Sequence, residues 1–423
     1  MRTLLGTMVL ASTLAVAAYW AGDATVVDAA PEDGGEEVDV SGKGFTLLRL
    51  AVPAGDETGN VLRRDAEISA GFEVIDRRSI PAALVKEGGF DRDQWNKIGA
   101  QAVIKNAVVG NQIKFQLYDL AKGSKPVLSK GFPSGDTRKA AHMFMNEVIN
   151  YYTGTPGVFG SRIAFVRTQR NPLVTKNIYT AEMDGGNVSG ITGNRSLNIL
   201  PSLGPGGQVV FTSYAKRNPD LWMSSGGEPQ RVSKFPGLNL GGVMSPAGGT
   251  IALTLSKDGN SELYTIDTGG GVKARLTNDK ALDGSPSWSG AGNQLVFVSD
   301  RAGGPQVYRM TASGGGASRV TKKGDYNQTP DWNPGEGQYA EWVTYAGRAG
   351  GGFDIFAVNV KSGAVKRLSQ GSGRNTDPSY SPDGRLVAWS SSRGGIVVAN
   401  EDGNNQIEVV KAGSTPDWGP RAY

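Results

Sequence analysis

From about residue 160 onward, short apolar runs alternate with glycine-rich turns. "QLVFVSD" from Gln294 leads into the turn "RAGGP", then into "QVYRMT", where apolar and polar positions alternate. Runs of this kind between turn signals predict strands. The pattern returns as a repeated phrase: "PSLGPGGQVVFTS" from Pro201, "VMSPAGGTIALTLS" from Val243, "PSWSGAGNQLVFVSDRAGG" from Pro286, "PDWNPGEGQYAEWVTYAGRAGG" from Pro330, "PSYSPDGRLVAWSSSRGG" from Pro378 and "PDWGP" from Pro416. Its central apolar residues are Leu203, Met244, Trp288, Trp332, Tyr380 and Trp418, separated by 41, 44, 44, 48 and 38 residues. A period of about 40–50 residues with four short strands is that of a propeller blade.

The two ends of this region complement each other. "SRIAFVRT" from Ser161 has no Pro-x-Trp phrase before it, and "PDWGP" has no apolar run after it. The C-terminal strand is therefore expected to join the blade begun near Ile163, which closes a ring of six blades and leaves no open sheet edge.

The pattern in front of the ring is different. "TLLRLAVP" and "FEVIDRR" read as strands, and "DETGNVLRRDAEISAG" and "DRDQWNKIG" as helices. "AVIKNAVV" and "QIKFQLYDL" flank Gly110-Asn111, a hairpin signal. In "DTRKAAHMFMNEVINYYTG", Ala141, Phe144, Met145, Val148, Ile149 and Tyr152 keep helical spacing up to Gly154. The expected fold class is α+β multidomain: a small N-terminal α/β domain (38–154), then a six-bladed β-propeller (160–423). Residues 1–22 read as a signal peptide, with an uncharged stretch from Leu4 to Ala18 shorter than the roughly 20 residues a membrane span needs. Residues 23–37 read as an acidic flexible tail. The expected location is the periplasm.

Composition sharpens this picture at a few points. The 61 glycines among 423 residues supply the many turns that short strands require, and the absence of cysteine makes the chain indifferent to the redox state of an exported compartment. The formal charge is +4: residues 23–153 hold 16 basic and 19 acidic side chains, residues 154–423 hold 27 and 21. The basic residues are scattered singly, which argues against a nucleic-acid partner.

The inventory offers no catalytic residue, cofactor or metal. No Gly-x-Ser-x-Gly motif exists, and His142, the single histidine, is expected to be partly exposed on a helix. No ligand cluster for a catalytic zinc is evident. Asp283, Asp331, Asp377 and Asp417 lie near the inner strands; the expectation is that they hold turns or bonds between blades, with paired-acid glycosidase chemistry as the competing use. The recurring Trp288, Trp332 and Trp418 read as core rather than sugar platforms. A carbohydrate-active or glycan-binding propeller is the alternative reading. A ring left over from a peptidase ranks last, since 38–153 has no room for a hydrolase domain.

The order of "AEISAGFEVIDRRSIP", "WNKIGAQAVI", "RIAFV", "FPGLNLGGVMSP", "GSPSW" and "SDRAGGPQVYRM" resembles the TolB family of the Tol–Pal envelope system over about 38–423. The resemblance implies a binding protein and no enzyme. It implies a Pal-type peptidoglycan-associated lipoprotein held on the propeller face, and a TolA-type inner-membrane protein bound by the N-terminal strand. Carried over by position, the first contact set is Leu238, Asn239, Leu240, Gly241, Asp283, Gly284, Tyr326, Asn327, Gln328, Thr329, Asn375, Thr376 and Asp377. The second starts at Val38, Asp39 and Val40.

Overall fold

The computed structural model describes residues 47–420 apart from 87, 88, 171, 371 and 372. In the N-terminal domain the strands are β1 (Leu48–Ala51), β2 (Phe72–Val74), β3 (Ala102–Val109), β4 (Gln112–Asp119) and β5 (Leu128–Pro133). They form one sheet in the order β2-β1-β3-β4-β5, with β1 parallel to both its neighbours and the rest antiparallel. The helices are α1 (Glu57–Ile68), α2 (Ala82–Val85), α3 (Arg92–Lys97) and α4 (Thr137–Thr153). Strand β5 and helix α2 carry too weak a pattern to be read from the chain.

Both long helices begin and end as their residues dictate. Asp56 accepts the backbone N–H of Gly59 at the start of α1, and Asp136 accepts that of Lys139 at the start of α4. Gly154 ends α4 in the left-handed region at φ 77°. Helices α1 and α4 cover one face of the sheet, where Leu62, Phe115, Phe144 and Val148 are buried together. Trp95 of α3 and Leu84 of α2 cover the other with Val103 and Tyr118.

Residues from Arg162 onward form six four-stranded antiparallel sheets among the described residues. The C-terminal strand Ser414–Trp418 pairs with Arg162–Gln169, with Trp418 opposite Ile163, so the ring closes as the two incomplete ends of the repeat require. The apolar core of α4 runs without a break into the closing blade and the blade before it, where Ile163, Phe165 and Trp418 of the one and Leu386 and Ile396 of the other join Phe144 and Met145. The front domain is thus packed on the seam of the ring. Gly185 shows a second use for glycine besides turns. It has φ 88°, and a side chain there would meet the carbonyl oxygen of Val409 in the neighbouring blade at 1.9 Å.

Candidate functional site

Each blade contributes one innermost strand to a central channel, and each of these strands carries the same irregularity. Leu200, Gly241, Ser285, Thr329, Asp377 and Thr415 all have positive φ, between 46° and 59°. At each of them the pairing with the second strand slips register. Five of the six precede proline, in "LP", "SP", "TP", "DP" and "TP". Proline pushes the preceding residue out of the right-handed helical region and has no N–H to lose from the ladder, so it suits the unpaired position of a bulge. A non-glycine residue in the left-handed region costs about 1–2 kcal/mol. Five of the six bear that cost, Gly241 being the exception, and the repeated bulge points all six positions into the channel, which they line.

Two residues further on, the side chains knit neighbouring blades. The Ser287 hydroxyl donates to Asp331 Oδ1 at 2.9 Å and accepts the Trp332 N–H at 3.0 Å. Asp331 Oδ2 accepts the Tyr380 N–H at 2.8 Å, Ser379 accepts the Trp418 N–H at 2.9 Å, and Asp417 Oδ2 accepts the Leu203 N–H at 2.6 Å. Burial pushes Asp331 up to about 6 against these bonds. Burial, with the charge of Asp331 added, pushes Asp417 up to about 7. Asp377 is raised by burial as well. Asp331 and Asp417 thus hold bonds between blades, as one reading of the sequence anticipated.

The positions carried over from the family divide into two groups. Asn239, Asp283, Asn327 and Asn375 are buried; Asn239 and Asn327 bond their own loops, Asn375 a strand of the preceding blade and Asp283 the hairpin beside it. The Asn239 amide donates to Phe235 O at 2.8 Å, Asn327 to Lys323 O at 2.9 Å and Asn375 to Asp354 Oδ1 at 3.1 Å; Asp283 accepts Arg301 Nη2 at 2.8 Å. Asn239 and Asn327 thereby staple the loops that enter their inner strands. Leu238, Leu240 and Gly284 are buried too. Tyr326 is half-buried, its ring edge-on to Phe353 at 5.5 Å. Gly241, Thr329 and Asp377 line the channel, and Thr376 donates to Asp377 Oδ2 at 2.9 Å. Thr329 Oγ1, Thr415 Oγ1 and Gln328 Oε1 are buried with no hydrogen-bond partner in the chain. Val38, Asp39 and Val40 lie outside the described residues.

Sequence reasoning missed Leu200, Ser285 and Thr415. The signal was present: each stands before the proline that opens a repeat. It also misjudged His142, which is fully buried instead of partly exposed. His142 sits where α1, α4 and the propeller meet, with Nδ1 2.8 Å from Asp65 Oδ2 and Nε2 3.4 Å from Glu182 Oε2. Arg138 bonds Glu182 at 2.8 Å and Asp184 at 2.6 Å. Burial works against the imidazolium, but Asp65 and Glu182 outweigh it and lift His142 to about 10. Burial pushes Asp65 up to about 6. In Glu182 the bonds from His142 and Arg138 overcome burial and hold it at about 2. Asp65, His142 and Asp184 bring ligand atoms within 4.8 Å of one another, a grouping not evident in the sequence. The ion pairs of Arg138 and the charge of His142 already neutralise these carboxylates, so the group reads as an ion-pair network.

Residues 149–421 match the model of the TolB beta propeller domain, and residues 37–125 that of the TolB amino-terminal domain. The Tol-Pal system protein TolB of Anaeromyxobacter dehalogenans strain 2CP-C is 35% identical over 303 residues, 66% of this chain and 68% of that protein. That of strain 2CP-1 is 35% identical over 247 residues, 56% of each chain, so the matched region spans little more than half of that relative. The crystal structure of TolB from Acinetobacter baumannii superposes with a TM-score of 0.76 at 24% identity, covering 89% of this chain and 97% of that one, and shows the shared fold.

Proposed function

Because this chain belongs to the TolB family and is a component of the Tol–Pal system, we propose that it is a non-enzymatic periplasmic adaptor. It holds a Pal-type lipoprotein on the mouth of its propeller and a TolA-type inner-membrane protein with its N-terminal segment, about residues 38–45. In that role it supports outer-membrane integrity and cell division. No helix among the described residues is long and apolar enough to cross a membrane.

The observation that carries this reading is the ring of bulges. A buried polar atom without a partner costs about 1–3 kcal/mol. Thr329 Oγ1 and Thr415 Oγ1 both stand at bulge positions with none. Atoms left this way at the mouth of a channel suit an inserted segment that supplies the missing donors. Asp331 and Asp417 are already committed to backbone N–H groups of the next blade, which weighs against paired-acid catalysis on a glycan.

The test is to immobilise the chain lacking residues 1–22 and to add the soluble domain of the same organism's Pal. Retention is expected. Gly241→Arg, which fills the channel mouth beside Leu200 (3.8 Å from a Cβ at Gly241), is expected to weaken it without unfolding the ring. Failure of the wild-type chain to retain Pal at high micromolar concentration overturns the assignment.

A further inference from the structure

The two mouths of the propeller carry opposite charge. Inner strands begin where second strands end, as Asn198 opposite Ser213, Asn239 opposite Leu255 and Asp283 opposite Ser299 show. The loops entering the inner strands and the hairpins between second and third strands therefore share one mouth, the one just above the bulge ring. Between the strands that bound them, these loops contain twelve Lys or Arg against four Asp. The loops at the other mouth, counted the same way, contain two Lys or Arg against seven Asp or Glu.

The excess at the first mouth is free charge. Lys257 and Arg301 are spent on Asp258 and on Asp283 with Asp279. Arg170, Arg195, Arg217, Lys280, Lys323 and Arg393 are exposed, and none of them has an acidic partner among the described residues. Each comes from a different loop, so together they ring the mouth. Scattered singly along the chain, they become a collar only when the ring closes.

We propose that the protein domain docking on this mouth presents an acidic face to the collar, and that this pairing steers its approach. The inference rests on the Pal reading above and adds the charge of the partner's contact surface. A protein is favoured over the other polyanions by the shape and charge of the site. The mouth is concave, which a flat bilayer does not enter, and its floor carries the carboxylates of Asp331, Asp377 and Asp417, which repel a phosphate backbone inserted into the channel. Complementary charge at a rim acts mainly on the rate of encounter.

The experiment measures association of the full exported chain with the soluble Pal domain by stopped flow. Salt is raised from about 25 to about 250 mM, which shortens the screening length from about 20 Å to about 6 Å. The association rate is expected to fall by about tenfold or more, with dissociation little changed. The double variant Arg217→Glu with Arg393→Glu is expected to cost about tenfold at the lower salt with an unchanged melting temperature, and an acidic-to-basic change on Pal is expected to restore part of the rate. Association that is tight but indifferent to salt and to both reversals overturns the charge inference and leaves the Pal reading standing. No association at all overturns both. Collar-dependent binding to phosphatidylglycerol vesicles or to duplex DNA, with none to Pal, replaces the protein partner by a lipid or nucleic acid.

Discussion

Two groups of carboxylates in this molecule are treated in opposite ways. At the junction between the front domain and the ring, Asp65, Glu182 and Asp184 are matched by His142 and Arg138 within a few ångström. In the channel, Asp331, Asp377 and Asp417 have no ion-pair partner among the described residues and are held by hydroxyls and backbone N–H groups. The pairing fixes one contact permanently. The channel keeps carboxylates without a counter-ion and buried hydroxyls without a partner in its lining, the condition of a surface not yet complete.

Breaking the paired side has the largest expected effect. Arg138→Ala takes from the half-buried Asp184 its counter-ion and from Glu182 one of its two, and removing one partner of a buried pair costs about 3–5 kcal/mol. Urea unfolding followed by fluorescence of the front domain is expected to show the loss. An unchanged midpoint removes the junction from the account of how the domains are held.

His142 sharpens the comparison through pH. Its folded pKa, about 10, lies above the unfolded value of 6.5. The stability it contributes is fully present below about pH 6.5 and drains away as pH rises toward 10. Asp65, raised to about 6, and Glu182, lowered to about 2, do not titrate between pH 7 and 10. Wild type is expected to lose stability across that interval, while His142→Gln, less stable at pH 7, stays level. Parallel curves for the two proteins contradict the charged histidine.

These two groups also mark what was and was not legible in the chain. The six blades and their closure were legible because Leu203, Met244, Trp288, Trp332, Tyr380 and Trp418 recur at blade spacing and pack into blade cores. The junction was not, because His142 meets residues 77 positions before it and 40 after it, a distance no local pattern spans. At the mouth, position along the chain led to the loops that enter the inner strands but could not give side-chain direction. The bulge changes the alternation of the strand: Asn239 and Asn327 turn back into their loops and Asn375 toward the preceding blade, while Gly241, Thr329 and Asp377 two residues later reach the channel.

The channel side has the opposite pH dependence. Asp331 and Asp417 have folded pKa values, about 6 and about 7, above their unfolded 3.8. The folded state takes up protons more readily, so their cost is absent near pH 4 and fully present by about pH 8. Asp331→Asn combined with Asp417→Asn removes it. An amide at 331 still accepts the Tyr380 N–H, and its NH2 donates to the Ser287 hydroxyl in place of receiving from it. The melting temperature of the double variant is expected to equal that of wild type near pH 4 and to exceed it at pH 8. A variant that melts lower at both values shows these carboxylates to be ordinary stabilising links.

The smallest expected change in stability is at Gly241, and it isolates the mouth from the fold. Its φ of 59° matches the five other bulge residues, all of which carry side chains. A Cβ there meets only Leu200 Cδ1, at ordinary contact distance. Asparagine tolerates the left-handed region, so Gly241→Asn is expected to cost about 1 kcal/mol or less. It also places an amide in the one gap of the channel's ring of side chains. If that ring forms the docking site, Pal retention changes while melting does not. Unaltered retention moves the contact outward to the collar, and a large loss of melting temperature means that glycine at 241 serves the fold.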